Sequence, residues 1–124
     1  MSLQNIYIAM GSLAYAIAKA DGEIQDDEKE TIRSLAQKEF ELSDVNNEWI
    51  NTMFTNLKDH DISLEEAYRY ALDTLEANRF EYDFDDAMKK KCLRFMEHVA
   101  ESFDGVSLEE RLIINRFKED IQRF

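Results

Sequence analysis

Not one proline interrupts this chain of 124 residues, and only three glycines do, so nothing in the backbone forbids helices from running one after another. Frequent Glu, Lys, Ala and Leu favour them further. Apolar residues then recur at three- and four-residue spacing in six successive stretches. In the first, residues 3–20, the row Ile6, Met10, Leu13, Ile17 and Ala20 is widened by Tyr7, Ala14, Tyr15 and Ala18. A stripe that wraps so far around a helix predicts a central one surrounded by the others.

The second segment, residues 26–40, is amphipathic, turning Ile32, Leu35, Ala36 and Phe40 inward. The third, 44–57, follows the cap candidates Ser43 and Asp44 and aligns Val45, Trp49, Met53 and Leu57, with Ile50 and Phe54 alongside. Ser63 opens the fourth, 64–78, at capping-box spacing from Glu66, with Leu64, Ala67, Ala71 and Leu75 as its apolar face. The fifth, 84–102, carries Phe84, Met88, Cys92, Phe95, Val99 and Phe103, and reads as a second buried helix. Ser107 and Glu110 repeat the capping-box spacing before the sixth, which buries Ile113 or Ile114, Phe117 and Ile121. The alternation in Phe80-Glu81-Tyr82-Asp83-Phe84 is too short and isolated to build a sheet.

Two of the junctions between these helices carry almost the same words. Near the start the chain reads Ala18-Lys19-Ala20-Asp21-Gly22-Glu23-Ile24, with Glu28 four residues on; near the end, Ala100-Glu101-Ser102-Phe103-Asp104-Gly105-Val106 leads to Glu110. With one residue of slip after the glycine, Asp21 matches Asp104, Ile24 matches Val106, Glu28 matches Glu110 and Ile32 matches Ile114. The expectation is an all-α, single-domain bundle of about six helices over residues 1–124, built from two related helical hairpins about a pseudo-twofold. No linker or low-complexity tract divides it.

Two accounts of the repeated phrase stand side by side. As helix junctions, Gly22 and Gly105 supply the left-handed conformation that ends a helix, and Glu28 and Glu110 favour the positive first turn of the next by about 0.3–1 kcal/mol. Asp21 and Asp104 fit less well, since a carboxylate at a helix C-terminus meets the negative end of the dipole, unless an Asx-turn holds it. As cation sites, the loop Asp and first-turn Glu converge. Carboxylates about 5 Å apart at an effective dielectric near 20 repel by roughly 3 kcal/mol, and a bound divalent ion would remove that cost. Oxygen-only ligands point to calcium, magnesium or manganese.

Other chemistries find less to work with. An EF-hand loop begun at Asp21 puts Asp26 at the required glycine and Ile32 at the required bidentate Glu; begun at Asp59 it puts Leu64 and Tyr70 there. His60, His98 and Cys92 form no zinc-ligand spacing, and no nucleophile, base and orienting group can be assembled, so catalysis is not expected. Cys92 sits on an apolar stripe, as an inert core thiol does. The net charge of −12 opposes nucleic acid and anionic lipid while attracting cations and basic protein surfaces. A single cysteine allows no intrachain disulfide, which suits a reducing cytoplasm. Residues 6–18 are the most apolar stretch, but Gly11 and Ser12 interrupt it and no basic residue precedes it, which opposes a signal peptide, and it is too short to span a bilayer.

At Ala18-Lys19-Ala20-Asp21-Gly22-Glu23-Ile24 with Glu28, and at Asp104-Gly105 with Glu109 and Glu110, the chain resembles the tellurite-resistance TerB family, including the TerB-like domains at the N-termini of some J-domain co-chaperones. The likeness covers about residues 10–40 and 96–118. It implies a helical bundle with two related halves, no established catalytic activity, a cytoplasmic stress-response or scaffold role, and a metal site made by Asp21, Glu28, Asp104 and Glu110. Ser102-Phe103 before Asp104 and the shorter second turn depart from the family pattern. The alternative is an acidic interaction module that docks a basic protein partner of unknown identity without metal. Tyr68, Tyr70, Phe80 and Tyr82 are candidates for a contact patch, with packing over the core as the competing use.

Overall fold

The computed structural model describes residues 2–20, 22, 28–41, 44–81, 84–102 and 107–124, the side chains of residues 2 and 44–46 excepted. Among the described residues six helices account for the fold: α1 (Ser2–Ala20), α2 (Glu28–Phe40), α3 (Asp44–Asp59), α4 (Leu64–Ala77), α5 (Asp86–Glu101) and α6 (Leu108–Ile121). No strand occurs among the described residues, and no helix there is long and apolar enough to cross a membrane.

Helix α1 is the hub, as its broad stripe requires. Every residue from Ala9 to Ala18 is buried, because α1 packs along both α3 and α4 and also meets α5 and α6. Gly11 and Ser12, which interrupt the apolar run in sequence, are the contact points. A Cβ at Gly11 would lie 2.5 Å from the carbonyl oxygen of Ile50 and 2.9 Å from Met53 Cβ, so only glycine lets α3 approach this closely. Ser12 Oγ donates to the carbonyl of Ala67 on α4 at 2.7 Å. One turn on, the Tyr15 hydroxyl donates to the carbonyl of Ile62 at 2.6 Å while its ring meets Phe54 edge-on.

The approach at Gly11 also sets the rotation of α3. The face that sequence spacing centres on Val45, Trp49, Met53 and Leu57 is turned: Ile50 and Phe54 are fully buried, Met53 and Leu57 only partly, and Trp49 is 38% exposed. Buried beside Ile50 are Asn47 and Asn51, which face the α2 side. Helix α2 lies on α3 and α5, and α5 on α6. The hairpins expected from the repeat are therefore unequally packed: α5 lies along α6, whereas the main partners of α1 are α3 and α4. These contacts describe one hub, and no pseudo-twofold is displayed by them.

The caps explain the helix starts. Ser107 Oγ accepts from Glu110 N–H at 3.2 Å and Glu110 Oε1 accepts from Ser107 N–H at 2.8 Å, completing the expected capping box. At α4 Ser63 Oγ accepts from Glu66 N–H. Helix α5 begins later than its apolar pattern suggests, since Asp85 caps it by accepting from Met88 N–H at 2.8 Å. Phe84 precedes the helix, buried against Phe124.

Candidate functional site

The first junction is described on both sides. Gly22 ends α1 with φ +110° and donates its N–H to the Lys19 carbonyl at 3.1 Å, as the sequence requires of a left-handed helix stop. Among the described residues no atom comes within 4 Å of where a Cβ would stand, and it is the positive φ that favours glycine there. Lys19 closes the same end of α1 with an ion pair to Asp61 at 2.5 Å. That contact raises the Lys19 pKa and lowers that of Asp61. Asp21 and Asp104, the loop acids of the expected metal set, lie outside the described residues, as does Gly105.

The other two members of that set, Glu28 and Glu110, are both buried, at 7% and 0% exposure. A first-turn glutamate serving only the helix dipole gains as much at the surface, without the cost of withdrawing a carboxylate from water. Glu110 is partly explained by its capping box, and Glu28 opens α2 as the first residue of the helix. Their shared burial is the structural counterpart of the shared phrase. Among the described residues, no three His, Cys, Asp or Glu side chains gather as a metal-binding group.

The histidines and the cysteine stand apart from this region. His60 is exposed in the α3–α4 turn with Nδ1 2.8 Å from the Asn56 carbonyl, and His98 is exposed on α5. Cys92 is fully buried and burial pushes its thiol well above the usual range, in keeping with a core thiol. Of the candidate aromatic patch, Tyr68 belongs to the core. Its hydroxyl donates to Asp120 Oδ2 at 2.7 Å, and the Arg116 guanidinium lies over its ring at 4.1 Å while pairing with both oxygens of Glu65 at 2.8 Å. Burial and the Asp120 contact raise the Tyr68 pKa; the Arg116 contact lowers that of Glu65. Tyr70 and Phe80 are exposed, Phe80 to 88%, and Tyr82 lies outside the described residues.

A second polar region has no counterpart in the sequence reading. Asn47, Asn51 and Thr55 follow one another at four-residue spacing along α3 on the side of α2. Asn47 Nδ2 donates to the Arg33 carbonyl at 3.0 Å, and Asn51 Nδ2 to the Asn47 carbonyl at 3.4 Å. Asn47 Oδ1, Asn51 Oδ1 and Thr55 Oγ1 are buried and meet no hydrogen-bond partner among the described residues. Each such group costs about 1–3 kcal/mol. A groove of about 400 Å³ runs here between α2 and α3, with Asn51 and Thr55 among its lining. The four-residue recurrence of these short polar side chains stands in the sequence, but spacing alone carries no sign that they are buried.

Against known proteins, the profile of one family, described as tellurite resistance protein TerB, matches residues 7–122. No curated protein and no solved structure matches the chain.

Proposed function

The chain belongs to the TerB family, and on that premise we propose that it is a non-enzymatic helical module whose two acidic helix junctions hold a divalent cation. Asp21, Glu28, Asp104 and Glu110 are the assigned ligands. The observation that carries this reading is the burial of both junction glutamates, at corresponding positions of the repeated phrase. Carboxylates meant only for solubility or for docking a basic surface stay in water; these two are held inside. The donor set fits a hard cation, since it is oxygen only, and calcium, magnesium and manganese are the ions it suits. The family match supports a stress-response setting of the tellurite-resistance type, in the cytoplasm.

Thermal unfolding tests the proposal. Calcium or manganese at a hundredfold excess over its dissociation constant stabilises a single-site protein by about 2.7 kcal/mol, which for a domain of this size is about 10 °C in Tm. Wild type is expected to show that rise, and Asp21→Asn combined with Asp104→Asn to lose it. Equal shifts in both proteins, or none in either, reject the cation.

A second reading, docking of a basic protein partner, draws on the exposed Tyr70 and Phe80 and on the net charge of −12. It requires salt-sensitive capture of a partner that persists in chelator. Loss of the partner when chelator is added counts against it.

A further inference from the structure

The groove between α2 and α3 is built differently from the junctions, and we propose that it binds a primary ammonium group. Its floor is Asn51, only 3% exposed, with Thr55 one turn on. The amide nitrogen of Asn51 is engaged with the Asn47 carbonyl, and that of Asn47 with the Arg33 carbonyl, which fixes the oxygen as the unused end of each amide. What Asn51 Oδ1 and Thr55 Oγ1 lack is therefore a hydrogen-bond donor within reach among the described residues. Asn oxygens accept only, and the Thr55 hydroxyl accepts as readily as it donates.

The rim decides the charge of the occupant. Lys29, Glu30 and Arg33 line the groove from α2 and Glu48 and Asp59 from α3, and Arg33 is paired with Glu48 at 3.7 Å. Three carboxylates against two cations, in a chain of net charge −12, favour a positive guest and oppose an anion. A divalent metal is poorly matched, because neutral oxygens make the floor and no group of three metal-ligating side chains occurs among the described residues. An alkylammonium carries three N–H donors and one positive charge on a slender arm, and about 400 Å³ admits it easily. Such a group comes either from a lysine side chain of a peptide or from a free polyamine.

Two-dimensional ¹H–¹⁵N NMR of the whole chain tests this. Titration with n-butylammonium is expected to shift the Asn51 side-chain amide and the neighbouring α2 and α3 backbone amides saturably, whereas tetramethylammonium at equal ionic strength, with the same charge and no N–H, leaves them in place. Asn51→Leu and Thr55→Val are each expected to weaken the response at least tenfold; should Asn51→Leu fail to fold, Thr55→Val carries the test alone. Asp21→Asn with Asp104→Asn is expected to leave it intact, which keeps this site distinct from the junctions. A peptide acetyl-Gly-Lys-Gly-amide that saturates below spermidine identifies a lysine guest, and the reverse order a polyamine. Equal shifts with tetramethylammonium, undiminished binding in the folded variants, loss in the junction variant, or no saturable response to any amine overturns the proposal.

Discussion

The helix junctions and the α2–α3 seam both withdraw polar side chains from water, but the junctions bury carboxylates, Glu28 and Glu110, whereas the seam buries two amides and a hydroxyl. The difference in charge sets what each can hold. Buried carboxylates are costly unless a positive charge or several donors compensate them, and they suit a hard cation. Neutral oxygens cost less to bury and discriminate by hydrogen bonding, so they select a guest that brings N–H or O–H groups. A bundle with a largely apolar interface along α1 thus buries polar groups of two unlike chemistries elsewhere.

The largest effect that can break this comparison is the loss of the metal response. Glu28→Gln with Glu110→Gln keeps the shape, and Gln can still accept from Ser107 N–H, so the fold is retained while the charge is removed. The Tm of this double variant is expected not to move between chelator and saturating calcium, against the rise of about 10 °C in wild type. A retained rise assigns the ion to other residues.

Next in size is Gly11→Ala, which concerns the largely apolar interface. The added methyl meets the backbone of Ile50 at 2.5 Å, so α3 has to shift, and the expected loss is about 1–3 kcal/mol in urea unfolding. The calcium response is expected to survive this change, showing that stability and binding separate. Asn51→Leu is smaller still. It removes an orphaned acceptor together with a weak hydrogen bond and is expected to stay within about 1 kcal/mol of wild type, in contrast to the adjacent apolar position, where Ile50→Ala is expected to cost about 2–5 kcal/mol. Comparable losses at both positions contradict the distinction between polar and apolar buried faces of α3.

The smallest effect is electrostatic and belongs to the clamp between α4 and α6. Arg116 holds the Glu65 pKa below its ordinary value near 4.5. A lowered folded-state pKa contributes stability that is present above pH 4.5 and is lost as pH falls through the folded value. Glu65 is half exposed, so solvent limits the effect to a few tenths of a kcal/mol. Relative to Glu65→Gln, wild type is expected to lose that much unfolding free energy in urea titrations between pH 6 and pH 3, and a gain reverses the sign of the argument.

Much of this molecule was legible from spacing. The wide stripe of α1 announced the hub, Gly22 announced a left-handed helix end, and the Ser107–Glu110 pair announced a cap that forms in full. What escaped was set by contacts between distant segments. Gly11 looks like a break in an apolar run, and only the approach of α3 shows it to be a packing position; that approach turns α3 away from Trp49 and towards Asn47 and Asn51. Periodicity assigns polar residues to water, so a row of amides buried against another helix is invisible to it. For the same reason the burial of Glu28 and Glu110 could not be read, although their recurrence could. Tyr68 belongs to the core because Arg116 and Asp120, about fifty residues away in sequence, cover its ring and hydroxyl.

Anomalous diffraction from crystals soaked in manganese tests the central claim most directly. The account expects manganese peaks at the acidic junctions, with carboxylate oxygens of Asp21, Glu28, Asp104 and Glu110 at coordination distance. Peaks elsewhere on the surface, or junctions without anomalous density at saturating manganese, contradict it.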